Sequence, residues 1–264
     1  MSGFYEREYS YKQRCISWIS RRSNFTYTCR RGVARGLKRT GGLGFLPALG
    51  PPGPEEIFLR NLDLRGKVIY DVGGFEGLMT LLFASRGRRV VTFEPNPQAA
   101  ARIRQNVAAN RFDTVTLVRE IALGDTPGRL TLVFDELMSG GASGDPEAAA
   151  ALRATAPHPR SIDVAVSTID AEIAAGLPIP DFVKIDVEGM EGSVLRGMRH
   201  LLATRKPWLY FELHGTTSED KLLNAATVID GLRSAGYRVY NIERAADIAP
   251  DDPVTGRESH IFAS

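Results

Sequence analysis

From residue 55 onward the sequence alternates short apolar runs with amphipathic stretches, and this alternation constrains the fold more than any other feature. Residues 68–72 (VIYDV) form a near-continuous apolar run that stops at Gly73-Gly74. Such a run suits a strand buried on both faces. Further strands are predicted at 90–93, 115–118, 130–134, 182–187, 208–213 and 237–242, with another at 258–263. Helical periodicity fills 55–61, 77–85, 98–110, 191–203 and 218–234 between them. Strands alternating with helices predict an α/β domain: a doubly wound, mostly parallel sheet covered on both faces. Ligands of such sheets bind beyond the carboxyl ends of the strands, so the residues that follow each strand are the candidates for function.

The chain has 264 residues, of which 43% are hydrophobic and 24% charged, so a collagen-like, coiled-coil or disordered chain is excluded. Its net charge of +2 is unevenly spread. Residues 1–40 carry ten basic and two acidic residues, which makes them a basic N-terminal extension to an acidic body. Four prolines in 47–54 (PALGPPGP) predict a stiff linker. The expected organisation is therefore 1–54 as extension and linker and 55–264 as the catalytic domain. A helix is expected at 4–20. Two cysteines, Cys15 and Cys29, exclude a disulfide framework or a four-thiolate zinc site. No apolar run approaches the ~20 residues that span a bilayer, and no signal-peptide core is present, so a cytoplasmic protein is expected. Residues 135–160 are rich in Gly, Ala and Ser and contain three prolines. They read as a mobile loop over the site, with a short helix at 147–154 and an edge strand at 162–166.

Four strand ends hold the chemistry. The first gives Asp71-Val72-Gly73-Gly74-Phe75-Glu76-Gly77. Glycines permit a tight turn and close backbone approach at a helix N-terminus. The spacing is not the dinucleotide G-x-G-x-x-G, and Asp71 and Glu76 would repel a pyrophosphate, so a ligand bearing positive charge fits better. The second strand ends in Glu94-Pro95-Asn96-Pro97. A carboxylate about 20 residues beyond a glycine turn is placed to accept hydrogen bonds from a ribose diol. The third is Lys184-Ile185-Asp186-Val187-Glu188-Gly189-Met190-Glu191, where clustered carboxylates at a strand end point to a site. A further strand ends in Glu212-Leu213-His214-Gly215, which puts a histidine at the same rim.

These segments resemble the FkbM family of S-adenosylmethionine-dependent methyltransferases. The matching text is VIYDVGGFEG (68–77), FEPNP (93–97), ALGDTPG (122–128), DFVKIDVEGMEGSVLRG (181–197) and YFELHG (210–215). The resemblance implies the class I methyltransferase fold, Rossmann-like, with a seven-stranded sheet and one reversed strand near the C-terminus. It implies S-adenosylmethionine over the Gly73–Gly77 turn, with Asp71, Gly73, Gly74, Phe75, Glu76 and Gly77 as cofactor-binding residues, Glu94 on the ribose hydroxyls, and Pro95 and Asn96 also in the cofactor site. Glu120 and Ile121 would flank the adenine, and Asp186 would lie near the methionine moiety and the transferred methyl. Family members usually carry Ala-Asn where this chain has Gly74-Phe75.

The expected reaction is methyl transfer from S-adenosylmethionine, leaving S-adenosylhomocysteine, to a hydroxyl of a small metabolite, sugar or glycan or lipid precursor. A hydroxyl nucleophile has to lose a proton. His214, Asp186 and Glu188 are the candidate catalytic residues, with His214 as the expected base because its ordinary pKa lies near neutrality. Asp186 and Glu188 offer oxygens that suit Mg²⁺, but no full ligand set accompanies them, so no metal is expected. The basic extension is expected to be solvated or to engage an anionic substrate or membrane surface. Nucleic acid is disfavoured because no nucleic-acid motif is present, and a homo-oligomer is left open. The competing readings are a non-catalytic binding or assembly protein on the same scaffold, an RNA methyltransferase, and an NAD-dependent oxidoreductase.

Overall fold

A computed structural model describes residues 25–41, 51–135, 138–144, 146–156 and 158–264. The expected helix at 4–20 and residues 47–50 of the linker lie outside the described residues. Helices and strands are numbered here in chain order.

The chain opens with a hairpin of β1 (Thr26–Thr28) and β2 (Lys38–Thr40), followed by α1 (Pro54–Asn61). Next come β3 (Val68–Val72), α2 (Leu78–Ala84), β4 (Arg89–Phe93), α3 (Pro97–Ala109) and β5 (Thr116–Arg119). A second group holds β6 (Ala122–Leu123), β7 (Gly128–Asp135), β8 (Met138–Ser143), α4 (Pro146–Thr155), β9 (Pro159–Ser167) and α5 (Ile169–Ala174). The chain then runs through β10 (Phe182–Ile185), α6 (Glu191–Arg196), α7 (Arg199–Thr204), β11 (Trp208–Glu212) and α8 (Ser218–Ser234). It closes with β12 (Val239–Asn241), β13 (Ala246–Asp247) and β14 (His260–Ala263).

The main sheet has the order β13-β12-β14-β11-β10-β3-β4-β5. β11, β10, β3, β4 and β5 run parallel, and β14 is reversed against both β11 and β12. The sheet thus has eight strands where seven were expected. The extra one is β13, a two-residue strand paired only with β12. Every residue of β3 is buried, including Asp71, as befits a central parallel strand. One face packs under α6, α7 and α8 through Val194, Leu201, Ala225, Val228 and Leu232. The other packs under α1 and α2 through Leu59, Leu82 and Phe83.

The segment expected to be a mobile loop over 135–160 is mostly ordered secondary structure. β7 pairs antiparallel with both β8 and β9, in a four-stranded sheet of order β6-β9-β7-β8 backed by α4. Hydrogen bonding to β7 makes a strand of β8 (MSGGAS), whose composition alone reads as a turn. The helix expected over 191–203 divides at Gly197-Met198. A Cβ on Gly197 would lie 1.9 Å from the Gly124 carbonyl oxygen, so the backbones touch there. The second half, α7, restarts where the Asp170 carboxylate accepts the amides of His200 (2.8 Å) and Leu201 (3.0 Å).

Candidate active site

The turn after β3 is held by backbone contacts that admit only glycine. The Gly73 and Gly74 amides both donate to the Phe93 carbonyl at the end of β4, at 3.0 and 3.2 Å. Gly73 has φ +79°, and a Cβ there would sit 1.8 Å from the Asp186 carbonyl oxygen, so the turn lies directly against the end of β10. Phe75 adopts φ +47°, a left-handed conformation that costs a non-glycine residue about 1–2 kcal/mol. Its amide donates to Glu94 Oε2 at 2.7 Å, and the Asn96 amide donates to Oε1 at 2.8 Å. Burial pushes the Glu94 carboxyl up to about 7 despite those two donors.

Beneath the turn lies a buried ion network. Lys184, on β10, is 3% exposed and donates to the Gly73 carbonyl (2.8 Å) and to Asp186 Oδ2 (2.9 Å). Its ammonium also lies 3.6 Å from Asp71 Oδ1. Asp71 Oδ2 accepts from Thr80 Oγ1 at 2.6 Å, and burial raises the Asp71 pKa. The two carboxylates outweigh desolvation and hold the Lys184 pKa above its ordinary value, so the lysine stays charged. Without it, Asp71 and Asp186 would be uncompensated negative charges below the ligand turn.

Above this floor opens a cavity lined by Gly73, Phe75, Glu94, Ile121, Asp186 and Glu188. Its apolar wall comes from Leu123 and Met190 and from Leu130, Leu132 and Ala142 of the small sheet. The two carboxylates that follow β4 and β10 therefore flank the β3 turn, because the sheet order is β10-β3-β4. Glu188 has φ +54°. Two strained non-glycine residues thus line one cavity, a pattern common at functional sites. Burial raises the Glu188 carboxyl to about 7 against the opposing pull of His214, with Asp186, Glu191 and Glu212 reinforcing the rise.

Beside the cavity, His214 stands among carboxylates. Its Nδ1 lies 3.2 Å from Glu191 Oε1 and 3.8 Å from Asp186 Oδ1, and its Nε2 lies 3.3 Å from Glu212 Oε1. Burial opposes its charge, but the hydrogen bonds to Glu191 and Glu212 prevail and push its pKa up to about 11. His260 repeats the motif. It contacts Glu243, Glu212 and Glu55, and these hold its pKa up at about 9. Ligand atoms of Asp186, Glu212 and His214 lie within 4.8 Å of one another, as do those of Glu55, Glu212 and His260. In both groups the surrounding carboxylates favour the protonated imidazole, so a metal would have to displace a proton to bind.

The structure brings Gly73, Phe75, Glu94, Pro95, Ile121, Asp186 and Glu188 to one cavity and corrects several other expectations. Both His214 nitrogens face carboxylate oxygens, which favours the imidazolium over the free base expected from the sequence. Asp71 is wholly buried and supports Lys184 rather than facing the cavity. Glu76 turns outward to Arg39, at 2.6 Å. Glu120 pairs with Arg104 on the surface, leaving Ile121 alone of the two at the cavity. Gly74 and Gly77 shape the turn from behind: a Cβ on Gly74 would lie 2.3 Å from Thr92 Cγ2, and Gly77, at φ +85°, is the N-cap of α2. Asn96 caps α3 by accepting from the Gln98 amide. The apolar wall from Leu130, Leu132 and Ala142 was not anticipated, because the pairing of β7 with β8 and β9, and no local pattern, brings those residues to the cavity.

A mostly parallel sheet with β14 and the short β13 reversed near one edge, a glycine turn after its central strand and a carboxylate after the next, has the architecture of the class I methyltransferase fold. The sequence matches the methyltransferase FkbM domain over residues 71–239, and the chain belongs to that family. Among solved structures it is similar to an FkbM methyltransferase from Methylobacillus flagellatus, with 16% identity and a TM-score of 0.50 over 81% of this chain and 48% of that one. The chain thus spans about half the length of that protein. It is also similar to a precorrin 8W decarboxylase from Methanobacterium thermoautotrophicum (16% identity, TM-score 0.44, 81% of this chain and 90% of that one). A third similar structure is a SAM-dependent O-methyltransferase from Thermotoga maritima (13% identity, TM-score 0.43, 83% of this chain and 67% of that one). No curated protein matches the chain. Among the described residues, no helix is long and apolar enough to cross a membrane.

Proposed function

We propose that this chain is an S-adenosylmethionine-dependent O-methyltransferase that acts on a hydroxyl of a small metabolite, sugar or glycan or lipid precursor. The observation that carries the reading is one cavity holding both a ribose-type carboxylate, Glu94, and a second carboxylate with a pKa near neutrality, Glu188.

The residues present fit the cofactor. Each Glu94 oxygen accepts one backbone N–H and keeps a second lone pair for a ribose hydroxyl. Ile121, Leu123 and Leu132 supply apolar surface for a base, and Asp186 supplies negative charge for a cationic ligand. When bound, S-adenosylmethionine supplies a methyl group already activated on a sulfonium. The chain's own contribution is alignment, worth up to ~7–11 kcal/mol in favourable systems, and removal of a proton. Glu188 takes the acceptor's hydroxyl proton onto its carboxylate, and a pKa near 7 suits that role at neutral pH. His214, held as a cation, stabilises the neighbouring carboxylates and is not the base.

The excess positive charge of residues 1–40 supports an anionic group on the acceptor's carrier, or an anionic membrane surface, as what that extension engages. A cytoplasmic site of action fits this reading.

The test is transfer of labelled methyl from S-adenosylmethionine to a panel of hydroxylated acceptors, with product analysis by mass spectrometry. An O-methyl ether is the expected product, with turnover reduced about 10²-fold or more in Glu188→Gln. Products methylated only on nitrogen or carbon would overturn the O-transfer assignment, and full turnover by Glu188→Gln would remove that residue from the base role.

A further inference from the structure

The β1–β2 hairpin lies far from the methyltransferase motifs in sequence, yet it reaches the ligand turn. Asn110, the C-cap of α3, accepts the Lys38 amide (2.7 Å) and donates to the Lys38 carbonyl (2.6 Å). Asn106, fully buried one turn earlier, accepts the Thr40 amide at 2.7 Å. Its Nδ2 donates to the Glu76 backbone carbonyl at 2.8 Å. One side chain therefore ties the hairpin and the turn together. Between these two strand residues, Arg39 reaches the Glu76 carboxylate at 2.6 Å, and the two side chains are only 12% and 23% exposed. Glu76 is thus gripped at its carbonyl and its carboxylate from the side of the turn away from the cavity.

Glu76 sits between Phe75 at φ +47° and Gly77 at φ +85°. Phe75 donates the amide that orients Glu94, and Gly77 is the N-cap of α2. Strained backbone of this kind persists only where its surroundings over-determine it. We propose that the N-terminal hairpin is a working part of the cofactor site: Arg39 and Asn106 are positioning residues that clamp Glu76 and hold the 73–77 turn in its ligand-binding shape. The ligand in this inference rests on the reading given above, whereas the clamp itself does not.

Two readouts separate these. The first is amide hydrogen exchange across 73–77 without ligand, and the second is calorimetric titration with S-adenosylhomocysteine. Both are applied to the wild type, Arg39→Ala, Glu76→Gln and the charge swap Arg39→Glu/Glu76→Arg. Arg65→Ala, which breaks an exposed pair with Asp63, serves as the control. The clamp predicts exchange in 73–77 faster by about tenfold in Arg39→Ala and Glu76→Gln, partial recovery in the swap and no change in the control. It also predicts affinity weakened about fivefold or more, with the apparent melting temperature lowered by only a few degrees. Glu76→Gln keeps the side-chain shape and decides the matter if Arg39→Ala does not fold. Unchanged exchange in both single variants would overturn the clamp. Faster exchange with unchanged affinity would overturn the hairpin's membership of the cofactor site and leave it a brace. If the wild type bound no S-adenosylhomocysteine, the cofactor reading would fail while the exchange data still decided the clamp.

Discussion

Phe75 is the residue at which local preference and site geometry disagree most openly. Its φ of +47° is one that Asn tolerates better than Phe, and the resemblance to family members places Asn at this position. Phe75→Asn is expected to raise stability by up to ~1 kcal/mol in urea unfolding, because the left-handed strain is relieved. The same variant should weaken cofactor binding, because a side chain that lines the cavity shrinks. A variant with lower stability would show that Phe75 packing outweighs its backbone strain. Glu188 sets the expected pH profile. Its carboxyl titrates near 7 in the folded protein against an ordinary 4.5, so the base is made as pH rises and kcat/KM should climb through about pH 7. Glu188→Gln should remove that limb, and Glu94→Gln, whose parent also titrates near 7, is the necessary control. For stability the sign is the reverse. The folded state binds these protons more tightly than the unfolded chain, so their contribution is greatest at low pH and is lost as pH rises from 4.5 towards 7. Chemical denaturation across that range checks it.

At the scale of elements, helix α8 was legible to the residue, because its start carries its own instructions. Thr217 accepts the Asp220 amide, and the Asp220 carboxylate accepts the Thr217 amide, a complete capping box. Thr217→Ala should cost about 1 kcal/mol, measured as a shift in the unfolding midpoint. Buried strands such as Val68–Val72 were equally plain, since five consecutive buried residues bounded by glycines have few alternatives. The elements that escaped notice are those whose partners dictate them. β8 is a strand because β7 pairs with it, and the hairpin at Thr26–Thr40 finds its edge partners in Asn106 and Asn110, at least 66 positions away. Helix α5, only six residues long, also escaped notice; it is capped by Thr168, which accepts the Ala171 amide.

At the scale of the molecule, the sheet brings the ends of β3, β4 and β10 together, and the small sheet over 122–167 supplies an apolar wall from outside that framework. The sequence indicated which strand ends hold carboxylates, but not which of those carboxylates face the cavity. Asp71 points into the ion network and Glu76 into the hairpin, and that choice depends on Lys184 and Arg39, partners distant in sequence. His214 was legible as a rim residue. Its charge was not, because that depends on Glu191 and Glu212 meeting at its two nitrogens. The proposed function requires the cavity bounded by the glycine turn, Glu94 and Asp186 to bind S-adenosylmethionine. Calorimetric titration of the wild type and Glu94→Ala with S-adenosylhomocysteine tests it most directly. The account predicts micromolar binding by the wild type, about −8 kcal/mol, weakened at least ~10-fold in the variant. No binding by the wild type, or equal binding by both proteins, would contradict it.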